Sequence, residues 1–178
     1  MDYLEHVRLM ARYNRWFNER LYEAAAKVPA ADRFVDRHAF FGSLGGTLNH
    51  LVVTDCIWLR RFMAVSSAAT LRQADDWLPR PARLNEVLFP EWPELSAMRA
   101  RIDLLIEQWV ASLQPADLDE VVSYSNSRGE AHRRLLGHLM SHHFNHQTHH
   151  RGQATTLLSQ AGVDPGATDL LLLIPQAA

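Results

Sequence analysis

Residues 134–161 read RLLGHLMSHHFNHQTHHRGQATTLLSQA and repeat their apolar side chains at the spacing of an α-helix. At about 100° per residue, one face of this helix carries most of the small and aliphatic residues. These are Leu136, Leu139, Ala154, Leu157 and Ala161. Gly162, which follows directly, is a residue type that commonly ends helices. The segment therefore predicts a long last helix with one face that must pack against other elements.

Three earlier segments also have helical spacing, over about 2–27, 43–65 and 91–112. Asp2 with Glu5 three residues later forms a capping-box pattern. Ser43 or Thr47 is expected to cap the second helix. Four long helices without alternating strands predict an all-α domain, most simply an antiparallel four-helix bundle over residues 1–178. The long connections between the first three helices permit a crossover.

Two short motifs refine this outline. Gly45 and Gly46 are poor helix formers in the first turn of the second helix, so they indicate either a later helix start or a close approach of other backbone. Residues 121–124 are Val-Val-Ser-Tyr and are followed by a turn-forming segment at 126–129, which is typical of a strand that enters a hairpin. Residues 66–90 include Pro79, Pro81 and Pro90 and are expected to be irregular.

The composition excludes several classes of protein. The net charge of −2 gives no basic surface for nucleic acid. The apolar run from Leu170 to Ile174 is far shorter than the ~20 residues of a membrane span. The first residues lack the basic and apolar regions of a signal peptide. Together with a single cysteine, Cys56, which we expect to be an unreactive core thiol, these features predict a cytoplasmic protein.

Histidine is over-represented in the last helix. Of ten histidines, seven lie between His132 and His150. His143, His146 and His150 fall within about 60° of one another on the apolar face, whereas those at 138, 142 and 149 lie nearer its polar margin. Buried imidazoles need polar partners, and histidines four residues apart can direct their nitrogens at one cation. His146 with His150 is the pair best centred on the core; His142 with His146 is the alternative.

A catalytic zinc-type site needs at least three protein ligands. His50, in the middle of the second helix, is the expected third ligand. Asp55 lies on the apolar side of the same helix and has two equally open roles. It orients a ligand histidine, or it pairs with Arg60, Arg61 or an arginine of another helix. The chain lacks Glu-x-x-His, His-Glu-x-x-His and phosphate-binding loop motifs, so those chemistries are not expected.

The segment Asn145-His146-Gln147-Thr148-His149-His150-Arg151-Gly152-Gln153 resembles the N-H-x-x-H-H-R-G-Q signature of the DinB/YfiT-like superfamily of metalloenzymes. The resemblance extends to the first helix (13–18), to the second helix from Gly42 through Asn49-His50 to Trp58, and to Tyr124–Gly129 with one additional residue. It thus covers nearly the whole chain.

The resemblance implies a four-helix bundle with a crossover connection and a homodimer. It also implies a divalent metal, commonly nickel or zinc, held by three histidines, which correspond to His50, His146 and His150. Characterised relatives include thiol-dependent transferases and a mycothiol-dependent maleylpyruvate isomerase. The additional histidines are alternative metal ligands, and His143 or Asp55 is a candidate for a residue that orients a ligand histidine from behind.

Two functions follow from this interpretation. The first is a metal-dependent enzyme, a thiol-dependent transferase or isomerase or a hydrolase, with an open tris-histidine site and a small-molecule substrate, such as a low-molecular-weight thiol. Trp16, Phe17 and Trp58 are candidates for the pocket wall, although core packing is the commoner role of such residues. The alternative is a non-catalytic metal-binding or stress-response dimer in which the ion only joins helices.

Overall fold

The computed structural model describes residues 2–126 and 128–176. In these ranges the chain is mostly helical, with a small antiparallel sheet. The helices are α1 (Tyr3–Ala26), α2 (Leu44–Phe62), α3 (Ala69–Arg72), α4 (Trp92–Ser112) and α5 (Leu136–Gln160), and the strands are β1 (Val121–Ser125) and β2 (Ala131–Leu135). Short 3₁₀ turns lie at Ala30–Asp32, Pro115–Asp119 and Leu170–Leu173.

Local capping explains where the long helices begin and end. The Asp2 carboxylate accepts a hydrogen bond from the Glu5 amide at 2.8 Å, and the Ser43 hydroxyl accepts one from the Gly46 amide at 3.0 Å. These bonds satisfy amides that have no partner within the helix. At the other end of the chain, Gly162 has φ +74°, the left-handed conformation that closes a helix. The predicted Ser43 cap and Gly162 end are confirmed.

The four long helices pack against one another around one apolar core. α1 contacts α4 and α5, and α2 also contacts both α5 and α4. Side chains from all four helices, among them Leu21, Leu51, Ile102 and Leu158, are completely buried. The functional residues of α2 and α5 are therefore held on neighbouring helices of a tightly packed core.

The mostly helical fold agrees with the predicted all-α class, and the chain also contains a small two-stranded sheet. The strand predicted at 121–124 exists, and it pairs with a second strand, β2, that the sequence analysis placed partly in the last helix. Val121 opposes Leu135 in the register, and the Leu136 amide donates to the Glu120 carbonyl at 2.8 Å. Because these ladder bonds occupy the backbone through residue 135, α5 begins two residues later than predicted. Ser127, in the predicted turn, lies outside the described residues.

The apolar residues of α2 are covered within a single chain. Leu48, Leu51, Val52, Val53 and Leu59 have no exposed surface. The apolar surface of α2 therefore gives no reason to expect a second chain, and the homodimer stays a prediction from the family resemblance. Within the described ranges, none of the helices has the length and hydropathy needed to cross a lipid bilayer.

Candidate metal centre

The first turn of α2 is packed unusually closely against the preceding loop. A Cβ atom on Gly45 would lie 2.5 Å from the Phe34 ring, and one on Gly46 would overlap the Phe41 carbonyl oxygen. The close approach expected from these glycines is confirmed. It brings Phe41 over the next turn of the helix, where its ring stacks on His50 with the centroids 3.7 Å apart.

The His50 imidazole is fixed on its other edge by the connection between α3 and α4. Its Nδ1 atom lies 2.8 Å from the Leu84 carbonyl oxygen. A carbonyl can only accept, so Nδ1 carries the proton and the lone pair of the neutral ring is on Nε2. The neighbouring Asn49 holds this connection in place, since its amide exchanges two hydrogen bonds with the Phe89 backbone, at 2.8 and 3.0 Å.

The Nε2 atom of His50 is buried and has no hydrogen-bond partner. An unpaired buried acceptor is costly, and native proteins rarely leave one without a ligand or water. Burial also lowers the pKa of His50 to about 4, with the hydrogen bond to the Leu84 carbonyl opposing the shift. The ring is therefore neutral near pH 7 and presents a free lone pair.

His146 and His150 approach this lone pair from α5, one helical turn apart. Their Nε2 atoms lie 3.1 Å from each other, and the His150 ring centroid lies 4.5 Å from that of His50. The Nδ1 atom of His150 is 2.8 Å from Oε1 of Gln153 and donates a hydrogen bond to it. The lone pair of the neutral His150 ring is therefore on Nε2. Burial and the two neighbouring histidines lower the pKa of His146 to about 3.

Ligand nitrogens of these three histidines all lie within 4.8 Å of one another. Zn–N bonds are about 2.0–2.1 Å long, so two nitrogens on one ion stand roughly 3–4 Å apart, which the 3.1 Å pair satisfies. A hydrogen bond between the Nε2 atoms of His146 and His150 would still leave the Nε2 atom of His50 without a partner. A cation between them is the partner that satisfies all three rings, so the donor set fits a divalent transition metal.

The remaining histidines of α5 do not join this cluster. His138, His142 and His149 are exposed, as their position at the polar margin predicts. His143 is buried on another side, where its Nε2 lies 3.5 Å from Oδ1 of Asp55. Burial lowers the pKa of His143, with Asp55 opposing the shift. The pairing of His142 with His146 is thus disfavoured relative to that of His146 with His150.

Asp55 contacts none of the three clustered histidines. It pairs with Arg99 of α4 at 2.5 Å and accepts a hydrogen bond from Gln147 of α5. Arg99 in turn pairs with Asp103 at 2.8 Å. Of the two roles left open for Asp55, the structure therefore supports the pairing with an arginine of another helix. The atoms that orient the histidines are the Leu84 carbonyl and Gln153 instead.

A cavity of about 450 Å³ opens beside the cluster. His50 and His146 form one end, and Thr54, Trp58, Arg61 and Arg83 line the rest together with His142 and Asn126. Trp58 is thus a wall residue, whereas Phe17 packs in the core beneath the Arg151 guanidinium. Sequence reasoning missed Phe41, Arg61, Arg83, Leu84 and Gln153. Only Gln153 gave a signal, since it follows His150 by three residues on the same helical face.

Comparison with known proteins identifies the family of the chain. The family model described as DinB family matches residues 3–177. Protein DinB of Bacillus subtilis (strain 168) is 27% identical over 158 residues, covering 88% of this chain and 87% of that protein. No solved structure gives a significant match. The matched range includes all four long helices and the three clustered histidines, and the chain belongs to the DinB family.

Proposed function

We propose that this protein is a metal-dependent enzyme in which His50, His146 and His150 hold one divalent transition metal. The observation that carries the proposal is the convergence of three imidazoles, one of which, His50, has a buried Nε2 atom without a hydrogen-bond partner. Imidazole suits zinc and nickel, so either ion fits this donor set. When bound, such an ion acts as a Lewis acid and lowers the pKa of a water or thiol beside it.

The chain's own residues prepare this site. The Leu84 carbonyl and the Gln153 side chain each accept a hydrogen bond from an Nδ1–H group and so favour the tautomer whose Nε2 atom carries the lone pair. The Phe41 ring covers His50 and limits the access of water from that side. The depressed pKa values of His50 and His146 keep both rings neutral near pH 7, as ligands must be.

Two observations favour an enzyme over the alternative of a purely structural ion. Two of the three histidines, His50 and His146, border an open cavity, which leaves room for a small-molecule substrate, whereas structural sites are closed by a fourth protein ligand. In addition, α2 and α5 are already joined through Asp55 and Gln147. An ion is thus not needed to hold these two helices together.

The metal assignment is tested by elemental analysis of purified protein. We expect about one divalent transition-metal ion per chain, because one set of three histidines is present. His146→Ala and His150→Ala should each abolish binding. His138→Ala is the matched control, since that histidine is on the same helix but exposed and outside the cluster. Full stoichiometric metal in His150→Ala would overturn the assignment.

The reaction is tested by assaying metal-loaded protein with thiol cosubstrates and with hydrolase substrates. Bacillithiol, mycothiol and glutathione should be compared with simple esters and amides. Turnover with one thiol that disappears in His150→Ala identifies a thiol-dependent transferase or isomerase. Ester or amide cleavage without any thiol identifies a hydrolase, and the absence of both, with metal bound, favours the structural alternative.

On the basis of the family, we also propose a four-helix bundle with a crossover connection. We propose that it assembles as a cytoplasmic homodimer. Exposed apolar side chains, among them Phe40 and Leu171, provide surface for such an assembly. Light scattering is expected to give about twice the chain mass of 20.3 kDa. A mass equal to one chain over a wide concentration range would contradict the dimer.

A further inference from the structure

The cavity beside the three histidines is elongated along α2. His50, Thr54, Trp58 and Arg61 line it at spacings of four, four and three residues, which is one stripe of a helix. At 1.5 Å per residue, the first and last Cα atoms of this stripe are about 16 Å apart along the helix axis. The histidines are thus at one end of the cavity, and Arg61 is at the other.

The guanidinium of Arg61 is held rigidly at that end. Its Cζ atom lies 4.6 Å from the ring centroids of both Trp58 and Tyr124, and Nη2 donates to the Ser125 carbonyl at 2.9 Å. Stacking and one hydrogen bond fix the plane of the group but use only part of its donor capacity. Across residues 2–126 and 128–176, Arg61 pairs with no carboxylate.

The charges around this cavity have one sign. Its lining includes Arg61 and the exposed Arg83 but no aspartate or glutamate. By contrast, the buried Arg99 is paired with both Asp55 and Asp103. An oriented, unpaired guanidinium in a concave site with an aromatic wall is the arrangement that binds a planar oxyanion.

We infer that Arg61 is a specificity-determining residue that binds a carboxylate of an elongated small-molecule substrate. The rest of the substrate lies against Trp58, and its reacting end faces His50 and His146. A carboxylate is favoured over a phosphate dianion because the partly used guanidinium of Arg61 offers two parallel donors, which match the two oxygens of a carboxylate. This inference rests on the proposed function, since it takes the cavity to be the substrate site.

The test compares two probes that differ only in charge, 4-phenylbutyrate and 4-phenylbutyramide. Binding is measured by calorimetry to the full-length protein, once metal-loaded and once treated with chelator. We expect the carboxylate to bind about tenfold more tightly than the amide in both states, since a charge-assisted pair is lost in the amide. Equal affinities for the two probes, in the metal-loaded and in the chelator-treated protein, would overturn the inference, and no variant is needed to show this.

Substitutions then locate the effect. Arg61→Met should remove the tenfold preference, and Arg61→Lys should restore part of it. Arg20→Met is the matched control, because Arg20 also stacks on a tryptophan, Trp16, at 4.6 Å but is outside the cavity. A preference that survives in Arg61→Met would contradict the assignment of this residue.

The metal content of each sample separates the two proposals. If the protein binds no metal but retains an Arg61-dependent preference for the carboxylate, the anion site stands and the metal proposal fails. If metal is bound and the preference is present only in the metal-loaded state, the carboxylate binds at the histidines and the role of Arg61 is refuted. A preference in both states that depends on Arg61 supports both proposals.

Discussion

At the scale of single residues, the partner of each Nδ1 atom determines what a clustered histidine can do. The Leu84 carbonyl and the Gln153 side chain accept hydrogen bonds from the Nδ1–H groups of His50 and His150, so the Nε2 atoms of these two rings are the nitrogens without protons. Removing such a partner lets the ring rotate or change tautomer and weakens its basicity. The groups that accept hydrogen bonds from the ligand histidines therefore control the affinity for metal.

Gln153→Leu should lower the metal affinity by about 10–100-fold while leaving the fold intact, because the His150 ring loses the acceptor that orients it. The affinity is measured by competition with a chelator of known strength. Gln153→Glu is the control, since it preserves an acceptor at the same place and should retain the wild-type affinity or increase it. An unchanged affinity in Gln153→Leu would show that Gln153 does not orient His150.

Two of the three clustered histidines, His146 and His150, could be predicted from helical spacing alone, and His50 from the need for a third ligand and from the family resemblance. The Leu84 carbonyl could not be predicted, because any residue type offers a backbone carbonyl and its position depends on how the 73–91 connection folds. Arg61 was missed for a related reason. Its role depends on stacking between Trp58 of its own helix and Tyr124 of β1, a contact between distant parts of the chain.

At the scale of elements, the start of α2 connects the packing of the loop before it to the site. The Phe34 ring and the Phe41 carbonyl occupy space that Gly45 and Gly46 leave open, and Phe41 then stacks on His50. Poor helix formers are therefore retained where helix propensity alone would favour alanine. This contact couples the position of the loop to the position of a candidate ligand.

Gly46→Ala should be destabilising by roughly 1–3 kcal/mol, because the new methyl group would overlap backbone that cannot rotate away. The free energy of unfolding is measured by chemical denaturation. Gly152→Ala in α5 is the matched control, since a Cβ there meets nothing within 4 Å. That substitution should raise stability by up to about 1 kcal/mol through helix propensity. Equal effects of the two substitutions would contradict the role given to the α2 contact.

The elements themselves differ in how well sequence predicts them. The four long helices have clear periodicity, and α1 and α2 also have side-chain N-caps, so their existence and approximate ends could be predicted. The β2 strand could not, because Ala131–Leu135 contains three charged or titratable residues and continues without a break into the helical pattern of α5. Its extended conformation comes from pairing with β1, which is tertiary context that overrides local propensity.

At the scale of the whole molecule, a buried polar network joins the four long helices beneath the candidate metal centre. Asp103 of α4 accepts hydrogen bonds from Asn14 and Asn18 of α1, at 3.0 and 2.9 Å, and it pairs with Arg99. Asp55 links this group to α2 and α5. Such a network requires every partner to be present, so it fixes the relative positions of the helices.

Because this network fixes the helices, the buried histidines determine how the stability of the protein changes in acid. The folded-state pKa of His50 is lowered to about 4 and that of His146 to about 3, chiefly by burial, whereas unfolded histidine titrates near pH 6.5. Between these values the unfolded chain binds more protons than the folded one. The free energy of unfolding therefore rises with pH across this window and falls on acidification.

We expect the metal-free protein to lose stability as pH falls from about 6.5 toward 4, by on the order of 3 kcal/mol through His50 alone. Bound metal adds stability at pH 7, because it binds only the folded state and only neutral imidazoles. Protons compete for the same nitrogens, so this added stability should disappear between about pH 6 and 4. The melting temperature measured against pH, with metal and with chelator, should give two curves that converge in acid.

A variant with His50, His146 and His150 all replaced by glutamine is the control. Glutamine keeps a polar side chain at each position but removes the titrating groups and the metal ligands. Its curves with metal and with chelator should coincide at every pH, and its decline below pH 6.5 should be shallower than that of the wild type. If the wild-type curves ran parallel, with no convergence in acid, the stabilising ion would not be bound through these histidines. The tris-histidine centre would then have to be abandoned, while the buried network and the fold would be unaffected.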